Sequence, residues 1–351
     1  MTTKTDKDST DTIPVRSGME FDEARLADWM TANVADFLGP LRVEQFRGGQ
    51  SNPTYKLLTP ERDYVLRRKP PGKLLRGAHA VEREARVMAA LAKSGFAVPK
   101  VLGVCEDKKV VGTPFFVMEM IAGRIFWDAR FPGVSRRERP GYFDAMNATL
   151  AALHCINPET VGLSDYGRPG HFVERQIAIW SRQYADDHEA GRDPHMDKLV
   201  AWLPQNTPSQ DRTTIVHGDF RCDNMVFHPT EPRVIAVLDW ELSTLGDPLS
   251  DFAYHAMMYR MPSDIGTGLM DVDFEAMNIP LEDEYVEAYC RRSGRTRIPN
   301  YDFYIAFNIF RVAAILHGIK GRIARGNAAS AQAAERSAAM PRLAELAWQQ
   351  A

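Results

Sequence analysis

Short runs of alternating hydrophobic and polar residues fill the first third of the chain. Runs at 41–46, 53–58 and 64–69 are separated by the turn-forming stretches GGQSN and TPERD, and two more apolar runs lie at 99–105 and 114–121. Alternation with period two, bounded by Gly, Pro, Asn and Asp, is typical of strands joined by tight turns. The pattern therefore predicts an antiparallel sheet in this part of the chain.

Helical periodicity frames this sheet and then dominates the chain. Asp22 can cap a helix that ends near Gly39-Pro40, and the stretch from His79 to Ser94 repeats the helical spacing of apolar residues. Beyond Gly123 the same spacing returns over 140–153, 172–184, 196–203 and in an Ala-rich tail after residue 326, interrupted by the β-like runs TTIVHGD, NMVFHP and RVIAVLDW. We expect an α+β fold in which a β-rich N-lobe carries one main helix and the C-lobe is mostly helical.

The length of the chain supports a division into two lobes. At 351 residues it is longer than the roughly 100–200 residues of a typical domain. The last strand expected in the first sheet ends at Ile121, which places the lobe boundary there. The expected segments are a disordered arm over 1–18, an N-lobe over 19–121 and a C-lobe over 122–351.

Composition and charge exclude several classes of protein. The chain is 44% hydrophobic and 25% charged, which is typical of an ordinary globular protein, and its formal net charge of -3 provides no basic field for nucleic acid. Its four cysteines form no Cys-x-x-Cys pair, and its first residues lack the pattern of a signal or transit peptide. These features predict a cytoplasmic protein without a structural zinc site or a disulfide framework.

The most apolar stretch of the chain runs from Tyr301 to Ile319. Asn308, Arg311 and His317 interrupt it, and such polar groups are costly in a span exposed to lipid. The stretch is therefore predicted to be a buried helix.

Three polar side chains have a spacing that suits phosphoryl transfer. Asp219 follows a strand-like run, Asn224 comes five residues later, and Asp239 ends the apolar run VIAVL. Phosphoryl transfer needs a carboxylate to accept the proton of the attacking hydroxyl, and oxygen ligands to hold Mg²⁺ against the phosphates. Each residue alone is more simply a turn or cap residue. Together they favour a phosphotransferase.

The segments HGDFRCDN, VIAVLDWE and GDPLSD resemble the aminoglycoside phosphotransferase family, and the resemblance extends from about Phe46 to Gly318. It implies a bilobal protein-kinase-like fold that uses ATP and Mg²⁺. It also implies that Asp219 is the catalytic base, that Asn224 and Asp239 bind the metal, and that His217 orders the catalytic loop.

In the N-lobe, VEREARVM resembles the family's helix whose Glu pairs with a phosphate-gripping strand residue. The resemblance assigns Glu84 to the helix and Arg67 to the strand, where the family normally has Lys. Arg is a wider planar fork than the point charge of Lys, so the replacement is not neutral. Glu82 and Lys69 are alternatives, and a solvated basic edge strand is a further interpretation of RRK.

The resemblance also locates the nucleotide. Glycines in the first turn of the sheet allow backbone N–H groups to approach phosphates, and neighbouring polar side chains add donors. This turn provides Gly48, Gly49, Ser51 and Asn52, while Val65 and the hinge residues Glu119 and Ile121 are expected at the adenine. As a motif the turn is weak, because it matches neither a Walker A sequence nor the Gly-rich loop of protein kinases.

Substrate choice depends on finer resemblance. GGQSNPTY, YVLRRKPPGKLL and LDWELSTLGDPLSD are similar to phosphotransferases associated with acyl-CoA dehydrogenases. The chain is thus expected to be a small-molecule kinase acting on a metabolite hydroxyl, such as that of a hydroxyacyl-CoA. The alternatives are an aminoglycoside phosphotransferase and a nucleotide-binding pseudokinase, which the unusual Arg67 leaves open. A protein kinase is disfavoured, since no Ala-Pro-Glu segment follows Asp239.

Overall fold

The computed structural model describes residues 12–47, 52–72, 79–326 and 331–351. Its strands are β1 (Thr12–Ile13), β2 (Arg42–Phe46), β3 (Thr54–Leu58), β4 (Tyr64–Arg68), β5 (Val101–Cys105), β6 (Phe115–Glu119), β7 (Thr214–Val216), β8 (Met225–Phe227), β9 (Val234–Val237) and β10 (Thr244–Gly246). Its helices are α1 (Glu23–Asn33), α2 (Val81–Lys93), α3 (Lys108–Val111), α4 (Arg139–Cys155), α5 (Phe172–Asp186), α6 (Pro194–Asn206), α7 (Pro248–Ala256), α8 (Phe274–Met277), α9 (Glu282–Ser293), α10 (Tyr301–Ala324), α11 (Ala331–Ser337) and α12 (Met340–Gln349).

The first six strands form one antiparallel sheet in the order β1-β2-β3-β4-β6-β5. The five strands predicted from alternation are all present, and the helices predicted to begin near Asp22 and His79 are α1 and α2. Asp22 caps α1 as expected, because its carboxylate accepts hydrogen bonds from the N–H groups of Ala24 and Arg25. The prediction of an α+β fold with an antiparallel sheet and one main helix beside it is confirmed.

A short strand lies within segment 1–18, which the sequence predicts to be a disordered arm. Thr12 and Ile13 add strand β1 to the edge of the sheet, opposite Phe46 and Gln45. The Thr12 hydroxyl also donates to the Glu44 carboxylate at 2.5 Å. These hydrogen bonds to an edge strand order a polar segment that has little apolar surface of its own. Residues 1–11 lie outside the described residues.

The described chain divides into two compact units. Unit 1 takes the residues up to Thr149, Glu159–Leu163 and Arg221–Ser243, and unit 2 takes Leu150–Pro158, Ser164–Phe220 and Thr244–Ala351. This division differs from the predicted lobes, because the segment after Ile121 pairs with a strand of the later hairpin: Arg124 forms an antiparallel bridge with Phe227. The lobe boundary at Ile121 stays a prediction.

In unit 1, one face of the sheet forms a hydrophobic core with α1. This core contains the buried residues Leu26, Met30, Val34, Phe37, Tyr55, Leu57, Tyr64, Leu66, Phe115 and Val117. Arg68 lies on the same face of β4 as Tyr64 and Leu66, and its guanidinium donates to Tyr55 Oη and to the Val111 carbonyl. Because successive strand residues point to opposite faces, Arg67 must project on the other side of the sheet. Adjacent arginines therefore have different environments.

In unit 2, α10 packs against α5, α6, α7, α11 and α12. By length and composition α10 is able to cross a membrane, but 61% of its most apolar window is buried inside the protein. Asn308 within it is fully buried and donates to the carbonyls of Ser250 and Tyr304. These are the contacts of a core helix, as the sequence predicts, and one such helix is weak evidence for a membrane span.

The backbone at Gly123 approaches strand β8 so closely that a side chain would not fit. A Cβ at this position would lie 2.4 Å from the Phe227 carbonyl oxygen and 2.5 Å from a Val226 methyl group. We expect Gly123→Ala to lower the free energy of unfolding by about 1–3 kcal/mol, as overpacking does elsewhere. Urea unfolding measures the change.

The matched control for this prediction is Ala122→Val, which adds carbon atoms at the exposed neighbouring position. It should change the free energy of unfolding by less than about 0.5 kcal/mol. Equal stabilities of the two variants would show that the approach of β8 to Gly123 is not a constraint.

Candidate active site

A β-hairpin in unit 1 brings two of the predicted site residues to the same end. Strands β8 and β9 pair antiparallel with Met225 opposite Val237, and the Leu238 N–H donates to the Asn224 carbonyl at 2.8 Å. Asn224 directly precedes one strand, and Asp239 follows the other by two residues. Buried β-branched residues in both strands explain the hairpin. The pairing therefore places Asn224 and Asp239 beside each other.

Asp239 has an unusual backbone conformation at this end of the hairpin. Its φ of 63° and ψ of 59° lie in the left-handed region, which is uncommon for residues other than glycine. The next residue, Trp240, is fully buried, and its indole N–H donates to the Val237 carbonyl at 2.9 Å. The buried indole stabilises the turn and thereby fixes the direction of the Asp239 carboxylate.

The Arg67 guanidinium binds three carboxylates. Its Nη2 donates to Asp239 Oδ1 at 2.6 Å and lies 3.6 Å from Glu241 Oε2. Its Nε lies 2.8 Å from Glu84 Oε2, a close ion pair that lacks the alignment of a hydrogen bond. Arg67 thus links β4 to α2 and to the turn after β9. The pairing of Arg67 with Glu84 is the one that the sequence resemblance assigns.

Burial and charge act against each other in this cluster. Glu84 is 2% exposed, and burial, opposed by Arg67 but assisted by the two other carboxylates, raises its pKa to about 7. Burial acts to lower the pKa of Arg67, but the three carboxylates outweigh it and raise that pKa. The guanidinium is therefore a permanent cation, while Glu84 takes up a proton near neutral pH.

Glu82 and Lys69, the alternatives to Glu84 and Arg67, form an ion pair with each other. Lys69 directly follows the last residue of β4, and its Nζ is 2.7 Å from Glu82 Oε1. Since Arg67 and Lys69 each pair with a different glutamate, Lys69 is not a substitute for Arg67 in the cluster.

Asn52 has a different position from the one expected for a phosphate donor. It is fully buried, its amide donates to Glu241 Oε2 at 3.1 Å, and its side-chain oxygen lies 3.1 Å from His79 Nδ1. The Asn52 amide thus forms part of the carboxylate cluster. The sequence resemblance did not predict this contact. Gly48, Gly49 and Ser51 lie outside the described residues.

The residues predicted near the adenine fall into two places. Glu119 and Ile121 line a pocket of about 350 Å³ together with Tyr64 and Leu102. Val65 is buried and projects from the opposite face of β4 to Tyr64. The structure therefore brings the two hinge residues together and separates them from Val65.

The loop that carries Asp219 lies in unit 2 and is anchored by a buried carboxylate. Asp251 on α7 accepts hydrogen bonds from the N–H groups of His217 at 2.7 Å and Gly218 at 2.8 Å, and from His154 at 3.2 Å. Burial acts to raise the pKa of Asp251, but these partners outweigh it and hold that pKa below its ordinary value. The Asp219 N–H donates to His217 Nδ1 at 3.2 Å, which agrees with the predicted role of His217 in ordering the loop.

Sequence reasoning missed two residues next to Asp219. The Tyr254 hydroxyl lies 2.5 Å from Asp219 Oδ1, and Arg311 Nη2 donates to the Gly218 carbonyl at 2.7 Å. Tyr254 lies three residues after Asp251, at the end of the GDPLSD segment, so helical spacing from that motif was the available signal. Arg311 is distant in sequence, and its one signal is that it is a charged residue in a helix predicted to be buried, which needs a polar partner.

The side chains in unit 1 suit a magnesium ion that is held mainly by a nucleotide. Among the described residues, no group of three or more His, Cys, Asp or Glu side chains is arranged as a metal site. Mg²⁺ typically takes only one or two protein oxygens and completes its shell with phosphates and water. The Asp239 carboxylate, 34% exposed, and the Asn224 side-chain amide at the same hairpin end supply such oxygens.

Comparison with known proteins identifies the family. Residues 42–307 match the sequence profile described as the phosphotransferase enzyme family. The chain therefore belongs to the phosphotransferase enzyme family.

Named relatives specify the branch of this family. The chain is 44% identical to acyl-CoA dehydrogenase family member 10 of Mus musculus over 340 residues, covering 96% of this chain and 32% of the relative. It is 42% identical to acyl-CoA dehydrogenase family member 11 of Rattus norvegicus over 332 residues, covering 91% and 42%. The predicted branch associated with acyl-CoA dehydrogenases is confirmed, and the chain spans less than half the length of these relatives.

Solved structures confirm the protein-kinase-like fold. A Ralstonia eutropha protein described provisionally as an aminoglycoside phosphotransferase superposes with a TM-score of 0.87 and 46% identity, covering 94% of this chain and 98% of that one. Choline kinase from Cryptosporidium parvum superposes with a TM-score of 0.60 at 11% identity, covering 94% and 97%. The second likeness shows the fold alone.

The raised pKa of Glu84 predicts a pH dependence of stability. In the unfolded chain the carboxyl has its ordinary pKa of 4.5, against about 7 in the folded protein. Between these values the folded protein binds a proton that the unfolded chain releases. This contribution to stability is complete below pH 4.5 and is lost as the pH rises through 7.

Glu84→Gln removes the titrating group. From pH 5 to 8, the free energy of unfolding should fall by about 2–3 kcal/mol more in the unaltered protein than in this variant. Urea unfolding at both pH values measures the difference, and all other groups titrate in both proteins. Parallel pH dependences would contradict the assignment of a raised pKa to Glu84.

Proposed function

We propose that the chain is an ATP- and Mg²⁺-dependent small-molecule kinase that transfers the γ-phosphoryl group to a hydroxyl. The observation that carries the proposal is the link from Glu84 through Arg67 to Asp239. A buried helix glutamate, a strand cation and a turn aspartate are thereby held in one cluster within a chain that belongs to the phosphotransferase family. A kinase site that binds phosphates and a metal ion needs a strand cation, its helix glutamate partner and a metal-binding aspartate.

The nucleotide-binding part of the proposal rests on unit 1. Bound Mg²⁺ would neutralise charge that develops on the phosphates during transfer. Asp239 and Asn224 are the residues that would hold it, and Arg67 would contact phosphate oxygens through a fork suited to them. A solved relative with a TM-score of 0.58 at 16% identity, aminoglycoside phosphotransferase APH(4)-Ia, was crystallised with AMP-PNP and hygromycin B, which supports ATP as the donor.

The proton-transfer part of the proposal rests on Asp219. Its carboxylate would accept the proton of the acceptor hydroxyl as the oxygen forms its bond to the γ-phosphorus and the bond to ADP breaks. The loop is anchored by Asp251 through two backbone hydrogen bonds, so the carboxylate is carried by an ordered segment. An ordered base needs little rearrangement at the moment of transfer.

The acceptor in the proposal is the hydroxyl of a hydroxyacyl-CoA. Its support is the name of the relatives, which associates this branch with acyl-CoA dehydrogenases. An aminoglycoside acceptor is the second candidate, and the naming of the Ralstonia eutropha structure favours it. A pseudokinase is weakened by the presence of Asp219, Asn224 and Asp239, and by the ion pair that Arg67 forms in place of lysine.

Asp219→Asn tests the catalytic assignment. The amide cannot accept the proton, so we expect kcat to fall by about 10²–10⁴-fold. Calorimetric titration with AMP-PNP and Mg²⁺ should give an affinity within about twofold of the unaltered protein, since the change is local. The control Asp28→Asn alters an exposed carboxylate on α1 and should leave both quantities unchanged. Near-normal turnover in Asp219→Asn would remove this residue from the mechanism.

A screen of acceptors tests the substrate class. ADP release from Mg²⁺·ATP is measured with 3-hydroxybutyryl-CoA, with hygromycin B and with choline at equal concentrations. We expect turnover with the hydroxyacyl thioester to exceed that with either cationic acceptor by at least about tenfold, because specific acceptor contacts lower the transition-state energy only for the matched substrate. Turnover restricted to hygromycin B would support the aminoglycoside alternative instead.

A further inference from the structure

We propose that Tyr254, supported by Arg311, is a positioning residue that orients the Asp219 carboxylate and keeps it ionised for proton transfer. The inference rests on the proposed function, because it assigns a partner to the base of that reaction. All of the residues concerned belong to unit 2.

One face of α7 contacts four consecutive residues of the catalytic loop. Asp251 accepts hydrogen bonds from the N–H groups of His217 and Gly218. The Tyr254 hydroxyl forms a hydrogen bond with the carboxylate of Asp219. His255 continues the row, with its Nδ1 3.1 Å from the Phe220 carbonyl. Residues at i, i+3 and i+4 lie on one side of a helix, so the loop follows a single rigid surface.

The contact of His255 is directional. Burial lowers the pKa of His255 to about 4, so the ring is neutral. A carbonyl only accepts hydrogen bonds, so Nδ1 carries the proton and Nε2 accepts from the Tyr285 hydroxyl at 2.6 Å. The backbone after Asp219 is therefore anchored to α7 as well.

The hydrogen bond from Tyr254 has a defined direction as well. An ionised carboxylate only accepts, so the phenol is the donor in the 2.5 Å contact with Asp219 Oδ1. Tyr254 is 8% exposed, which protects this bond from competition with water. Hydrogen bonds to a charged acceptor are short and roughly twice as strong as neutral ones. The bond fixes the rotation of the carboxylate and favours its ionised form.

Arg311 supports the phenol from the other side. Its guanidinium carbon lies 4.8 Å from the centre of the Tyr254 ring, and its Nη2 donates to the Gly218 carbonyl. Among the described residues, Arg311 Nε is buried and has no hydrogen-bond partner. Its charge therefore acts on the phenol and on the loop, and a cation over the ring makes the phenol a stronger donor.

The test compares Tyr254→Phe with the unaltered protein by pH–rate profiles. The rate of ADP release from Mg²⁺·ATP is measured with 3-hydroxybutyryl-CoA and with water alone as the acceptor. Phenylalanine keeps the shape of the ring and removes only the hydroxyl, so a packing role leaves the profile unchanged. We expect kcat at neutral pH to fall about 10-fold, with KM for ATP within about twofold, and the acid limb to move to higher pH.

Two further variants make the test specific. Tyr259→Phe removes a hydroxyl from the 3₁₀ helix Met257–Arg260, which directly follows α7, and should give the profile of the unaltered protein. Arg311→Gln removes the charge and should move the acid limb in the same direction as Tyr254→Phe, by a smaller amount. Because the two residues act on one carboxylate, the effects on kcat in the double variant should be less than multiplicative.

The outcomes separate the inference from the proposed function. If the unaltered protein turns over ATP and Tyr254→Phe has the same kcat and acid limb, the inference is overturned and the proposed function stands. If the unaltered protein releases no ADP with either acceptor, both are overturned. A shifted acid limb in Tyr254→Phe, absent from Tyr259→Phe, supports the inference.

Discussion

A single guanidinium, that of Arg67, joins the elements on which the candidate nucleotide site depends. It contacts a glutamate on α2 and two acidic residues in the turn after β9, all within unit 1. A lysine ammonium is a compact point charge, whereas the arginine fork directs separate nitrogens to separate carboxylates. Arg67 uses Nε for Glu84 and Nη2 for Asp239. The ion pair with the helix glutamate is therefore kept although arginine stands in place of the usual lysine. The arginine also contacts a third carboxylate, that of Glu241.

The loop in unit 2 is constrained by a different means, a row of hydrogen bonds to one helix. Asp251 binds the backbone before Asp219, and His255 binds the backbone after it. Buried, fully partnered polar networks of this kind rigidify a segment because each unpaired group would be costly. The strained turn at Asp239 and the anchored loop at Asp219 are thus two solutions to one requirement, the fixed direction of a carboxylate.

Local patterns predicted much of this structure and missed what depends on distant contacts. Alternation predicted the strands of the main sheet. The Asp22 cap was predictable because a capping side chain contacts only residues close to it in sequence. Strand β1 was missed, since Thr12 and Ile13 are ordered by pairing with β2 and not by their own pattern. The Arg67–Glu84 pair followed from resemblance, but the contacts of Asn52 with Glu241 and of Arg311 with Gly218 join residues far apart in sequence. Rules based on the spacing of residues along a helix or strand cannot predict contacts between such distant residues.

The central claim is that Arg67 and Asp239 belong to a site for a Mg²⁺-bound nucleotide. Calorimetric titration of the protein with AMP-PNP, in the presence and absence of Mg²⁺, tests it most directly. The account predicts saturable binding with Mg²⁺ that weakens by at least about tenfold when the metal is removed, because the acidic cluster otherwise repels the phosphates. Failure to bind AMP-PNP with Mg²⁺ present, or equal binding without it, would contradict the claim.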